Sequence, residues 1–170
     1  MIAAFDVSYS DKKACAAAVT FDRFDASEPT AEYSATFPVQ SDYIPGEFYR
    51  RELPPIVALI EKYDIRPDIV VIDGYVFLDG IEKPGLGARL YEYLHAKVPV
   101  IGVAKNRFKD LPEGFAVYRK GSIKPLYVTS VGIDLERAKQ AVVSMHGNHR
   151  IPAMLKRVDL LSRSCFRTSE

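Results

Sequence analysis

Cysteine and histidine are scarce in this 170-residue chain: two of the first, Cys15 and Cys165, and three of the second. Two thiols at opposite ends of the sequence have neither zinc-site spacing nor the density of a disulfide framework, so they are expected to be separate reduced thiols acting as small side chains. His146 and His149 are not spaced as a helix-face pair, and they read as surface or phosphate-contacting groups rather than metal ligands. No run approaches the roughly 18 apolar residues of a membrane span, and no basic stretch leads into an apolar one near the start, so the chain is expected to be cytoplasmic without a membrane partner. Nor is there a glycine-rich phosphate loop. Pro84-Gly85-Leu86-Gly87 lacks both the spacing and the Lys-Ser/Thr ending, which argues against an ATPase and against a nucleotide cofactor.

What remains is ordinary globular material. With 48% hydrophobic and 26% charged residues, the chain is long enough to bury a core, and residues 1–170 are expected to form one domain. The net charge of +1 conceals a split: residues 1–96 hold 9 Lys/Arg against 16 Asp/Glu, whereas residues 97–170 hold 14 against 6. An acidic half that supplies metal ligands and a basic half that holds a polyanion would produce this pattern. Chance segregation that folding mixes again would produce it too.

Residues 2–8 and 14–21 are apolar runs separated by Ser10-Asp11-Lys12-Lys13, and 31–39 alternates; together they predict an antiparallel three-strand start. From Glu47 to Tyr63, apolar residues recur at helical spacing, and Pro54-Pro55 predicts a break inside that helix. Ile69–Asp73 and Val98–Ala104, with a helical stretch at Gly85–Ala96 between them, form a βαβ pattern and hence parallel strands. A hairpin is expected to join Phe115–Arg119 to Leu126–Ser130. Helices follow at Asp134–Met145, capped by Asp134, and at Pro152–Leu161. An antiparallel start joined to parallel strands with intervening helices predicts an α/β fold, a mixed sheet of the ribonuclease H type with flanking helices.

Acidic residues interrupt the apolar pattern at telling places. Asp6 sits in Ile2-Ala3-Ala4-Phe5-Asp6-Val7, and Asp73 closes Ile69-Val70-Val71-Ile72-Asp73-Gly74. A carboxylate at the end of a buried strand needs a partner, because burying an unpaired charge costs several kcal/mol or shifts its pKa until it is neutral. Adjacent parallel strands would bring Asp6 and Asp73 to one rim, where a hard cation such as Mg²⁺ relieves their repulsion. Glu52, in Tyr49-Arg50-Arg51-Glu52, and Asp159, in Arg157-Val158-Asp159-Leu160-Leu161, could join them. The plain alternatives are hydrogen-bonded carboxyls for the first two and solvated helix residues for the others.

These residues lie in a larger pattern. Asp6-Val7-Ser8-Tyr9, Tyr43-Ile44-Pro45-Gly46 followed by Arg51-Glu52, Asp73-Gly74, Ile101-Gly102-Val103-Ala104-Lys105, Pro125-Leu126-Tyr127-Val128 and Arg157-Val158-Asp159-Leu160-Leu161-Ser162-Arg163 occur in an order that resembles the endonuclease V family, from residue 2 to 163. The resemblance implies a metal-dependent endonuclease that cuts DNA or RNA one nucleotide to the 3′ side of inosine or deoxyinosine, leaving a 5′-phosphate and a 3′-hydroxyl. It implies Asp6, Asp73 and Asp159 as ligands of Mg²⁺ or Mn²⁺, Glu52 as a ligand acting through water, and Lys105 as the charge beside the scissile phosphate. Tyr43, Ile44, Pro45 and Gly46 resemble a wedge that fills the gap left by an extruded base, with Phe48 and Gly74 at the base pocket. Without that context, residues 43–46 read as a plain Pro-Gly turn.

One segment departs from the family. Where members carry histidines after Asp-Gly, this chain reads Asp73-Gly74-Tyr75-Val76-Phe77-Leu78-Asp79-Gly80-Ile81-Glu82-Lys83-Pro84-Gly85, and Asp79 and Glu82 would repel a backbone phosphate. Two further readings therefore stand beside the nuclease: a nucleic-acid-binding homologue that cleaves weakly, and a hydrolase of small phosphoesters.

Overall fold

The computed structural model describes residues 1–39 and 49–167. Its strands are β1 (Ile2–Ser10), β2 (Lys13–Phe21), β3 (Ala31–Pro38), β4 (Ile69–Asp73), β5 (Val100–Ala104), β6 (Ala116–Val117) and β7 (Leu126–Val131); its helices are α1 (Tyr49–Tyr63), α2 (Leu86–Tyr93), α3 (Leu135–Ser144) and α4 (Ala153–Ser164). The seven strands form one sheet in the order β3-β2-β1-β4-β5-β7-β6. The first three run antiparallel, β1 and β5 lie parallel on either side of β4, and β7 returns antiparallel to β5. This is the mixed sheet with flanking helices expected from the sequence.

Strand alternation divides the core into two layers. Ala3, Phe5, Val70 and Ile72 face Ile56, Leu59 and Leu90 of α1 and α2. Ile2, Ala4, Val71 and Ile101 face Ala138, Val142, Met154 and Val158 of α3 and α4. Both faces of β2 are covered, and its run Ala14-Cys15-Ala16-Ala17-Ala18 is fully buried. Such short side chains let helices approach closely from both sides.

Two expectations are corrected. Helix α1 continues through Pro54 and Pro55 without a break. These residues cannot donate the two helical hydrogen bonds that would end at positions 50 and 51, but burial of Pro55, Ile56, Leu59 and Ile60 holds the turn against the sheet. Cys15 and Cys165, expected as separate thiols, form a disulfide with Cα atoms 6.2 Å apart. Their separation of 150 residues hides the fact that α4 packs on β1 and β2, which brings its C-terminal cap to the start of β2. No described helix is long and apolar enough to cross a membrane.

Candidate active site

Parallel pairing of β1 with β4 sets Phe5 opposite Ile72, so the next residues, Asp6 within β1 and Asp73 at the end of β4, come side by side. By alternation both carboxylates fall on the face of Ala4 and Val71, the face covered by α4. That helix buries Met154, Leu155, Val158 and Ser162, and Asp159 lies beside this stripe. Ser162 fixes its position: the Oγ lies 2.6 Å from Ser8 Oγ, 3.4 Å from Asp6 Oδ2 and 2.9 Å from the Asp159 carbonyl oxygen. Glu52 arrives from α1, on the opposite layer.

The four acids sense one another. Burial pushes the Asp6 carboxyl up to about 7, with further increments from Asp73 and the facing Asp159. Burial also raises Glu52 to about 8, with Asp6 and Asp73 adding repulsion against the relief given by Arg51. Asp73 is raised by burial as well, opposed chiefly by Lys105. Two salt bridges temper the cluster: Lys105 Nζ lies 3.5 Å from Asp73 Oδ2, and Arg163 Nε donates to Asp159 Oδ1 at 3.1 Å. Among the described residues, no three His, Cys, Asp or Glu side chains converge as ligands of one ion. The chemistry of the donor set nevertheless fits a hard divalent cation, since each donor is a carboxyl oxygen and burial, reinforced by mutual repulsion, holds on Asp6 and Glu52 protons that a cation would displace.

Beside the acids lies a cavity of about 400 Å³, lined by Glu52, Asp73, Gly74, Tyr75, Lys105 and Phe108 among others. Its wall depends on close backbone approach. A Cβ at Gly102 would stand 2.6 Å from the Gly74 carbonyl, 2.7 Å from Thr129 Oγ1 and 2.9 Å from the Val76 nitrogen. Only glycine lets the segment leaving Asp73 cross β5. Gly74 itself has φ +142°, with open space where a side chain would be. The Val76 amide donates to Thr129 Oγ1 at 2.8 Å. The Tyr75 hydroxyl donates to the Asn106 carbonyl at 2.5 Å and accepts from the Phe108 amide at 2.9 Å. This clamp ties the segment after Asp73 to the one carrying Lys105.

Sequence reasoning named Asp6, Glu52, Asp73, Lys105 and Asp159, and the structure brings them to one end of the sheet. Tyr43, Ile44, Pro45, Gly46 and Phe48 lie outside the described residues. It missed Tyr75, Thr129 and Arg150, whose guanidinium donates to the carbonyls of Lys105 and Pro125. Nothing local signals these roles, because each partner is a distant backbone atom.

The family model for endonuclease V matches residues 1–114. The chain belongs to the endonuclease V family. It is 30% identical to the endonuclease V of Streptomyces avermitilis over 95% of this chain and 79% of that protein. The crystal structure from that organism superposes with a TM-score of 0.77, covering 96% of this chain and 80% of the other at 29% identity. Against the endonuclease V of Pyrococcus horikoshii the identity is 34%, over 95% and 72% of the two chains. At 19% identity, a Ciona intestinalis endonuclease V variant, solved with a 23mer DNA containing an inosine followed by a ribo-adenosine, shares the fold with a TM-score of 0.75 over 96% and 83% of the chains.

The loop after Asp73-Gly74 is held by one of its own side chains. Asp79 Oδ1 accepts from the amides of Ile81, Glu82 and Lys83 at 2.9–3.0 Å. These bonds lower its carboxyl to about 2. The carboxylate therefore stays ionised and solvent-accessible, with Oδ1 occupied by the backbone of its own loop, and Lys83 pairs onward with Asp110 at 3.2 Å.

Proposed function

We propose that this chain is an endonuclease that hydrolyses a phosphodiester near inosine or deoxyinosine in DNA or RNA, leaving a 5′-phosphate and a 3′-hydroxyl. The observation that carries the reading is the facing set of Asp6, Glu52, Asp73 and Asp159 at one end of the sheet, with Lys105 beside it and a base-sized cavity next to it. Family membership and the inosine-containing DNA bound by the Ciona relative support the substrate class.

Asp6, Asp73 and Asp159, with Glu52, would hold Mg²⁺ or Mn²⁺, which when bound neutralises charge developing on phosphoryl oxygens and supplies a water acidic enough to attack at neutral pH. Lys105 exchanges Asp73 for the scissile phosphate and stabilises charge that grows there. The exposed backbone at Gly74 and the rings of Tyr75 and Phe108 can read and stack an extruded base, while the cavity shields it from water. Fixed loops on both sides orient the strand across the acids.

The test is incubation with Mg²⁺ or Mn²⁺ and inosine-containing single-stranded DNA and RNA. Cleavage that Asp73→Asn abolishes supports the proposal. A second reading, a binding homologue with weak cleavage, draws on the pairing of Asp73 and Asp159 with Lys105 and Arg163 and on the lack of three converged ligands among the described residues. Tight binding without a cut would establish it, and turnover of a small phosphoester alone would reject both.

A further inference from the structure

Beyond the acids, on the α4 side, lies a second cleft of about 290 Å³, lined by Lys105, His149, Arg150, Ile151, Lys156 and Asp159. We propose that this cleft binds the phosphodiester adjacent to the scissile one; the inference rests on the nuclease reading and specifies where the substrate strand runs.

Three observations carry it. The first is continuity: Lys105 lines both this cleft and the 400 Å³ cavity, so a strand whose base occupies the cavity and whose backbone passes Lys105 has the cleft beside it. The second is uncompensated charge. Arg150 spends its Nε and Nη2 donors on the carbonyls of Pro125 and Lys105, and among the described residues no carboxylate pairs with Arg150, Lys156 or His149. The one acid in the lining, Asp159, is already bound by Arg163. Arg150 and Lys156, beside an acid that is already paired elsewhere, leave an anion as the missing complement.

The third observation is rigidity. Arg119, 1% exposed, donates to the carbonyls of Met145, Gly147, His149 and Arg150, and to that of Val142. The segment bearing His149 and Arg150 is therefore held before any ligand arrives, so little ordering entropy is lost on binding. His149 and Lys156 are exposed, and their ring N–H and ammonium donors are available for a phosphate oxygen.

The experiment measures binding of an inosine-containing single-stranded oligonucleotide, with Ca²⁺ replacing Mg²⁺ to keep the strand intact. Lys156→Ala and His149→Ala each weaken binding by about three- to ten-fold, and with Lys156→Ala the slope of log affinity against log salt falls by roughly 0.7 for a phosphate that is no longer neutralised. Lys156→Arg, which keeps the charge, restores both. A single neutral methylphosphonate is then moved along the strand. At one linkage next to the cleavage position it weakens the wild type but leaves the Lys156→Ala/His149→Ala double variant unaffected. Unchanged affinity and salt slope in the double variant overturn the proposal, as does equal sensitivity of both proteins at every linkage. Failure of the nuclease reading is separately visible, because the wild type would then leave the strand uncut with Mg²⁺ or Mn²⁺.

Discussion

Arg119→Met is the most demanding test of how the site is supported. The side chain is almost completely buried and meets no carboxylate; its guanidinium serves five carbonyls between residues 142 and 150. Methionine fills much of the volume but donates nothing. Gly147, His149 and Arg150 are partly or well exposed, so water can replace the donor at their carbonyls. The carbonyls of Val142 and Met145 belong to residues at 0% and 1% exposure; Val142 keeps the Met145 amide as donor at 3.3 Å, so the Met145 carbonyl is the buried acceptor left unpaired, at a cost of about 1–3 kcal/mol. The substitution is expected to destabilise by about 1–3 kcal/mol in urea unfolding monitored by circular dichroism. Turnover should also fall, because the loosened segment carries Arg150, which braces the Lys105 backbone. Arg119→Lys should recover little, since three donors on one nitrogen cannot span carbonyls this far apart along the chain. An unfolding free energy within about 0.5 kcal/mol of wild type, the range of an unremarkable surface change, would refute the reasoning.

Three other outcomes are expected. Asp6 and Glu52 rise from ordinary values of 3.8 and 4.5 to about 7 and 8; between those limits the folded chain binds more protons than the unfolded one, so stability without metal should fall as pH rises from about 4 to 8. Urea midpoints in EDTA check this, and a midpoint that climbs steadily across the window is the contrary result. Tyr75→Phe removes both clamp bonds and should lower stability by about 1–2 kcal/mol, with a several-fold drop in turnover on inosine strands; unaltered turnover would show that the clamp does not position Lys105. Reduction of the Cys15–Cys165 bond, or Cys15→Ala, should lower the unfolding free energy by about 2–4 kcal/mol, read as a midpoint difference with and without dithiothreitol. Identical midpoints would mean that the cross-link contributes nothing to holding α4.

Much of this protein follows from local pattern. Alternating and continuous apolar runs defined β1 to β5, because side-chain period and burial are properties of neighbouring residues. Asp134 was legible as a cap for the same reason, and its carboxylate accepts from the Arg137 amide at 3.3 Å. Asp6 and Asp73 stood out because a charge ending an apolar strand is improbable without a purpose. The helical period over residues 47–63 was visible too, but two prolines read locally as a break, and burial against the sheet overrode them.

Tertiary structure alone decided the rest. Register between β1 and β4 made Asp6 and Asp73 neighbours, and the packing of α4 on β1 and β2 set Asp159 opposite them and joined two cysteines from opposite ends of the chain. The Tyr75 clamp, the Gly102 crossing and the Arg119 brace are equally silent in the sequence. Each depends on main-chain amides and carbonyls, which every residue carries, so no side-chain pattern marks the partner. The sequence determined which elements form and where unpaired charge must be resolved; the fold determined which distant backbone atoms hold that charge in place.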